Sequence, residues 1–199
     1  MPAVVASVWT PANVVTMARI VLVPLVVAAL LADHDGGWRL VACGLFVLAA
    51  ATDRLDGWLA RSRDQVTDWG KLVDPIADKA LMGATLVALS ALGDLPWWVS
   101  AVILVRELGI TALRLAVLRY VVIPASRGGK LKTVLQSVAI GLFLLPLDRL
   151  PDAVGVAAWV LMVAALVVTV VTGADYLRRG WAVRRAAREA APEAAQEAV

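Results

Sequence analysis

The sequence predicts an all-α integral membrane protein with six transmembrane helices and both termini cytoplasmic, and three observations carry that prediction. The 199 residues are 61% hydrophobic and only 18% charged, with a mean hydropathy of +0.80; a soluble domain is about 45–50% apolar and about 25% charged. Six apolar stretches reach the roughly 20 residues that a helix needs to cross ~30 Å of hydrocarbon. Lys and Arg are sorted unequally between the connections. This composition excludes a water-soluble globular domain, and it excludes disorder for most of the length. The single cysteine, Cys43, excludes a disulfide framework. The net charge of +3 is informative only through its placement, and no nucleic-acid partner is expected.

The first span covers about 11–32 and contains Pro24, which kinks it or marks an end. Before it, residues 1–10, with Trp9 ahead of Pro11, fit a short helix lying on the membrane surface. A cleavable signal peptide at 19–32 is disfavoured, because residues 3–18 are also largely apolar and no basic segment precedes it. The second span, about 38–60, follows the turn Asp33-His34-Asp35-Gly36-Gly37, in which His34 reads as a solvated loop histidine. The third, about 71–92, follows a basic connection from Arg61 to Lys71. Gly93-Asp94-Leu95-Pro96 leads into the fourth, about 96–119, and a second basic connection, Arg119 to Lys132, leads into the fifth, about 129–148. Asp148-Arg149-Leu150-Pro151-Asp152 precedes the sixth, about 153–177. Residues 190–199 are Ala/Glu-rich without an apolar stripe and are expected to be a disordered cytoplasmic tail, leaving 1–189 as a single domain.

The turn-like connections hold only Arg39 and Arg149. The opposite face holds Arg61, Arg63, Lys71, Arg119, Arg127, Lys130, Lys132 and the cluster Arg178, Arg179, Arg184, Arg185 and Arg188. Positive charge accumulates on the cytoplasmic side of a cell membrane, so that face and both termini are expected there. Trp9, Trp38, Trp69, Trp97, Trp98 and Trp181 fall near span ends, where an indole keeps one edge wet.

The second and third spans carry charges where a membrane tolerates them poorly: Asp53, Arg54, Asp56 and Arg61, then Lys71, Asp74, Asp78 and Lys79. Each costs roughly 2.5–3.5 kcal/mol at a helix centre, against about 0.3–0.6 gained per Leu or Val. They must therefore sit near the cytoplasmic end, facing a wet space between helices. Asp53, Asp56, Gly57 and Ala60 share one helix face at i, i+3, i+4, i+7, and Gly70, Asp74 and Asp78 share another at i, i+4, i+8. Gly57, Ala60 and Gly70 remove bulk so that backbones or a ligand can approach. Four carboxylates then surround one small space. Two unit charges ~5 Å apart repel by about 3 kcal/mol at an effective dielectric near 20, so some are protonated or cations hold them. All-oxygen ligation suits Mg2+ or Mn2+, and two ions favour chemistry at phosphorus. Pairing with Arg54, Lys71 and Lys79 alone would not require small residues at matching positions. A divalent-cation transporter is the distant alternative; the acids cluster at one membrane face and no charges mirror them in the other half.

Written out, Asp53-x2-Asp56-Gly57-x2-Ala60-Arg61-x8-Gly70-x3-Asp74-x3-Asp78 resembles the signature of the CDP-alcohol phosphatidyltransferase family, with every fixed position filled. The resemblance implies a six-span core in which a hydroxyl attacks the lipid-bearing phosphorus of a CDP-linked lipid and CMP leaves. It implies that Asp53, Asp56, Asp74 and Asp78 ligate two ions, Mg2+ or Mn2+, with Asp78 also the general base. Asp56, Gly57, Ala60, Arg61 and Gly70 would border the cytidine diphosphate, and a homodimer is implied as well.

The acceptor is read from cations. Arg106, Arg114, Lys130 and Lys132, with Arg61, place positive charge beside the acids, which suits a phosphorylated acceptor better than a neutral one. Pro11-Ala12-Asn13-x2-Thr16-x2-Arg19, Arg106-Glu107-x6-Arg114 and Gly129-Lys130-x-Lys132-Thr133-x2-Gln136 resemble the phosphatidylglycerophosphate synthase branch of the family. That branch implies CDP-diacylglycerol and sn-glycerol 3-phosphate as substrates, with inositol 1-phosphate as the alternative acceptor. Other readings stay open: Lys130 and Lys132 as orientation anchors, Arg106 in a buried pair with Glu107 or a neighbouring helix, and Asn13, Thr16 and Arg19 as pins of the first helix.

Overall fold

The computed structural model describes residues 11–32, 37–62, 68–117 and 127–196. They form an all-α bundle: α1 (Pro11–Ala32), α2 (Gly37–Ser62), α3 (Asp68–Ala91), α4 (Trp97–Val117), α5 (Arg127–Phe143) and α6 (Asp152–Gln196), with a short 3-10 turn at Leu147–Arg149. Six long helices thus stand where six apolar stretches predict them. Val14–Ala32 and Asp152–Arg178 are long and apolar enough to cross a membrane, and Gly37–Thr52 and Leu131–Phe143 are shorter apolar helices. The apolar part of α2 ends at Thr52 because Asp53, Arg54 and Asp56 follow it directly.

Three boundaries have identifiable causes. α5 stops at Phe143, several residues before the predicted end near 148. Pro146 has no N–H to donate and disfavours a helical conformation at Leu145, so the chain takes the 3-10 turn instead. α6 runs on to Gln196, and residues 190–196 are therefore helical where the sequence led us to expect disorder. Their Ala, Glu and Gln content has high helix propensity, which lets an existing helix propagate. α3 ends at a left-handed glycine, Gly93, with φ of 83°. There Gly93 N–H donates to Ser90 O and Asp94 N–H to Leu89 O, the paired bonds that close a helix C-terminus.

α1 packs against α2 and α3, and α6 packs against α5 and α4; α3 joins the two groups by touching α4 and α5. The shared core holds Val26, Leu30, Phe46, Leu86, Leu89, Ile103, Ile140 and Met162. Ala29, Ala42, Ala49, Ala139 and Ala158 are buried between helices, small enough for close approach. Phe143 meets Trp159 edge to face at 5.3 Å, fastening α5 to α6. Thr16 and Arg19 are both buried against the bundle from α1. Outward, Val21, Val105, Val160 and Val171 are exposed, as a surface solvated by lipid requires, and Trp38, Trp97, Trp98 and Trp181 are exposed as well.

At the end of the bundle where α2 begins, Arg39 is 6% exposed. Its Nη2 donates to Asp94 Oδ2 and to the Phe143 carbonyl, each at 2.9 Å. One guanidinium therefore ties the start of α2, the α3–α4 connection and the end of α5 together.

Candidate active site

The helix register sets the acids at comparable depths. Asp53 and Asp56 lie nine and six residues before the end of α2, and Asp74 and Asp78 lie six and ten residues after the start of α3. At 1.5 Å per residue these are about 9–15 Å from the ends joined by residues 63–67. α2 and α3 touch, so all four positions belong to one end of a helix pair. The side chains of Asp53, Asp56, Ala60, Arg61, Asp74, Arg114 and Lys130, and the surroundings of Gly57 and Gly70, lie outside the described residues. Among the described residues no three His, Cys, Asp or Glu side chains form a metal-ligating group.

Asp78 is described, half-buried on α3. It lines a cavity of about 50 Å3 together with Lys79, Met82, Glu107, Lys132, Thr133 and Gln136. It also lines a larger groove of about 720 Å3 whose walls are Phe46, Val47, Ala50, Met82, Val134, Val138 and Leu142. Asp78, Met82 and Thr133 border both spaces. A small chamber, in which Lys79, Glu107, Lys132 and Gln136 stand among Leu86, Ile103 and Leu108, and a larger apolar groove therefore meet at one carboxylate.

The chamber is organised by an ion cluster across α4, α5 and α6. Lys132, 4% exposed, donates to Glu107 Oε1, and Arg106 Nη1 donates to the same oxygen at 3.0 Å. Arg106 continues away from the chamber: its Nη2 donates to Thr172 Oγ1 at 2.9 Å and its Nε to the Thr169 carbonyl at 3.2 Å. Gly173 makes room for it, since a Cβ there would stand 3.2 Å from Arg106 Cγ. Arg106 is thus committed to Glu107 and α6 and is absent from the chamber's lining, whereas Lys132 faces it. Gln136 lies one turn beyond Lys132 on the same face of α5, 3% exposed, and among the described residues its Oε1 has no hydrogen-bond partner. The sequence singles out Lys132 by its charge and Gln136 only as part of a motif; the unsatisfied amide oxygen is a tertiary fact.

Residues 9–171 match the CDP-alcohol phosphatidyltransferase family. The chain belongs to that family. Among relatives of this phosphatidyltransferase, it is 55% identical over 170 residues to the probable phosphatidylglycerophosphate synthase of Mycobacterium tuberculosis, covering 84% of this chain and 80% of the relative. It is 36% identical over 186 residues to the CDP-diacylglycerol–glycerol-3-phosphate 3-phosphatidyltransferase of Bacillus subtilis, covering 85% and 94%. The enzyme of that name from Rickettsia felis is 35% identical over 173 residues, covering 83% and 92%. The chain is therefore an enzyme of a membrane family that works with a divalent metal. The donor chemistry fits such an ion: four carboxylates on two touching helices offer hard oxygen ligands.

Proposed function

We propose that this phosphatidyltransferase moves the phosphatidyl group of CDP-diacylglycerol onto the primary hydroxyl of sn-glycerol 3-phosphate, giving phosphatidylglycerophosphate and CMP. It works as a six-pass cell-membrane protein, a homodimer by family resemblance, with its site at the cytoplasmic face. The observation that carries this reading is the position of Asp78, shared by a small chamber that holds the charged groups Lys132 and Glu107 and by a larger apolar groove. A water-soluble phosphorylated alcohol and a diacyl lipid need opposite solvents, and their reacting atoms must meet at one boundary.

In this scheme the acyl chains lie along Phe46, Val47 and Val138, which exclude water from the groove. Gly57, Ala60, Arg61 and Gly70 border the cytidine diphosphate. Lys132, with Lys130 two residues before it and Arg114 near the end of α4, takes the acceptor phosphate, while Glu107 holds the ammonium in place. The acceptor hydroxyl gives its proton to the Asp78 carboxylate as its oxygen bonds to the lipid-bearing phosphorus, and the bond from that phosphorus to CMP breaks. Asp53, Asp56, Asp74 and Asp78 would hold Mg2+ or Mn2+, two ions in all, which when bound neutralise the pyrophosphate and the charge developing on CMP.

The test offers the purified protein, reconstituted in lipid with CDP-diacylglycerol, three acceptors in turn: glycerol 3-phosphate, inositol 1-phosphate and serine. CMP release and phosphatidylglycerophosphate are expected with glycerol 3-phosphate alone. An Asp78→Asn variant should keep its fold and lose roughly 100- to 10,000-fold in kcat, the range general-base removal produces. Turnover with inositol 1-phosphate and none with glycerol 3-phosphate would overturn the acceptor. Cation flux into liposomes without CMP release would overturn the enzyme.

A further inference from the structure

We infer that Gln136 reads the secondary hydroxyl of the acceptor and so sets which phosphorylated alcohol this enzyme accepts, an inference that rests on the acceptor chamber proposed above. Gln136 is 3% exposed and lines that chamber, yet among the described residues its Oε1 has no hydrogen-bond partner. Buried amide oxygens are almost always satisfied, because leaving one bare forfeits the hydrogen bond it made with water in the unfolded chain. The missing partner must be a donor. That requirement excludes the acceptor's phosphate, whose oxygens only accept near neutral pH, and it excludes an acyl chain, which offers nothing. A metal ion at Gln136 is disfavoured by the Lys132 side chain, one turn away on the same face of α5. An alcohol hydroxyl remains, or a water that such a hydroxyl displaces when the acceptor binds.

The register then orders the ligand. Lys132 and Gln136 are i and i+4 on α5, stacked on one face about 6 Å apart along the axis. With the phosphate at Lys132 and the attacking primary hydroxyl at Asp78, the middle carbon of glycerol 3-phosphate is the one whose hydroxyl falls to Gln136. A site built to bond a hydroxyl rejects an analogue lacking it, since its own buried polar atom is then left bare.

The experiment compares glycerol 3-phosphate with 3-hydroxypropyl phosphate, which keeps the phosphate and the attacking hydroxyl but lacks the middle one. The parent enzyme should favour glycerol 3-phosphate by roughly 10- to 100-fold in kcat/KM. In Gln136→Leu that preference should shrink to within about threefold, mainly through the KM for glycerol 3-phosphate. Gln136→Met serves the same purpose should the leucine variant fail to fold, as judged by its melting profile in detergent. A preference that survives both substitutions, an equal fall for both substrates, or a parent enzyme indifferent to the missing hydroxyl would each overturn the role of Gln136 while leaving the acceptor standing. A parent enzyme inert toward glycerol 3-phosphate but active with another alcohol would remove the acceptor reading, and this inference with it.

Discussion

Two ion clusters among the described residues look alike on paper and differ in what surrounds them. At the end where α2 begins, Arg39 joins Asp94 and the Phe143 carbonyl. Deeper along α4 and α5, Glu107 joins Lys132 and Arg106. The first cluster sits on chain ends: it caps a carbonyl that α5 cannot satisfy internally and pins the turn after α3. Neither the chamber nor the groove touches it. The second sits mid-helix and forms one wall of the chamber, next to an amide oxygen with nothing to accept. A buried ion pair closed over by its neighbours is a fastening, since removing one partner strands the other. One bordering a cavity with unmet hydrogen-bonding capacity is a holder for a ligand.

Replacing one cation in each cluster separates the two roles, and the larger effect is expected at the fastening. Arg39→Met strands the Asp94 carboxylate and the Phe143 carbonyl together, at a cost of about 3 kcal/mol in stability. The melting temperature in detergent should fall well below the parent's, while kcat/KM of the protein still folded stays within about twofold. A large loss of turnover at unchanged melting temperature would place Arg39 in the chemistry and break the comparison.

Lys132→Met should behave the opposite way. Glu107 retains Arg106 at 3.0 Å, so no carboxylate is stranded and the melting temperature should move little. The acceptor phosphate loses a charge-assisted partner, costing about 2 kcal/mol, or roughly 30-fold in kcat/KM. The loss should appear in the KM for glycerol 3-phosphate and spare that for CDP-diacylglycerol. An equal rise in both KM values would show that Lys132 shapes the whole site instead of one phosphate.

This division was only half legible in the sequence, for physical reasons. The helices could be placed because each is a long apolar run with turn residues on either side, and local hydropathy alone decides that. Hydropathy, which continues through Leu144 and Leu145, carries the fifth span to about 148, whereas Pro146, which like Pro24 in the first span reads as a kink or an end, is the local signal for the earlier stop of α5. The four aspartates could be assigned to one end of α2 and α3 because that placement follows from spacing within two adjacent helices. Arg106 was legible only as an open choice between the acceptor and a buried pair with Glu107 or a neighbouring helix; Thr169, Thr172 and the bare Cα of Gly173, more than sixty residues away, decide for the pair. Arg39 counted in the sequence merely as an exception to the charge asymmetry, because Asp94 and Phe143 reach it only through the fold.

The smallest effect comes from Gly93, and it tests how far the fastening depends on its turn. An alanine Cβ at Gly93 would meet nothing within 4 Å, so Gly93→Ala introduces no clash and acts through the backbone alone. With φ at 83°, the left-handed conformation costs an L-residue roughly 1–2 kcal/mol. Gly93→Asn should cost less, because asparagine visits that region more readily. The next residue is Asp94, whose aim at Arg39 follows from the turn that Gly93 makes. If the fastening is one unit, Gly93→Ala and Arg39→Met should destabilise the double variant by less than their separate effects combined, since the second change disturbs a contact already lost. Strict additivity of the two melting shifts would mean that the turn and the ion pair hold the bundle independently, and the carboxylate would then find Arg39 whichever way α3 ends.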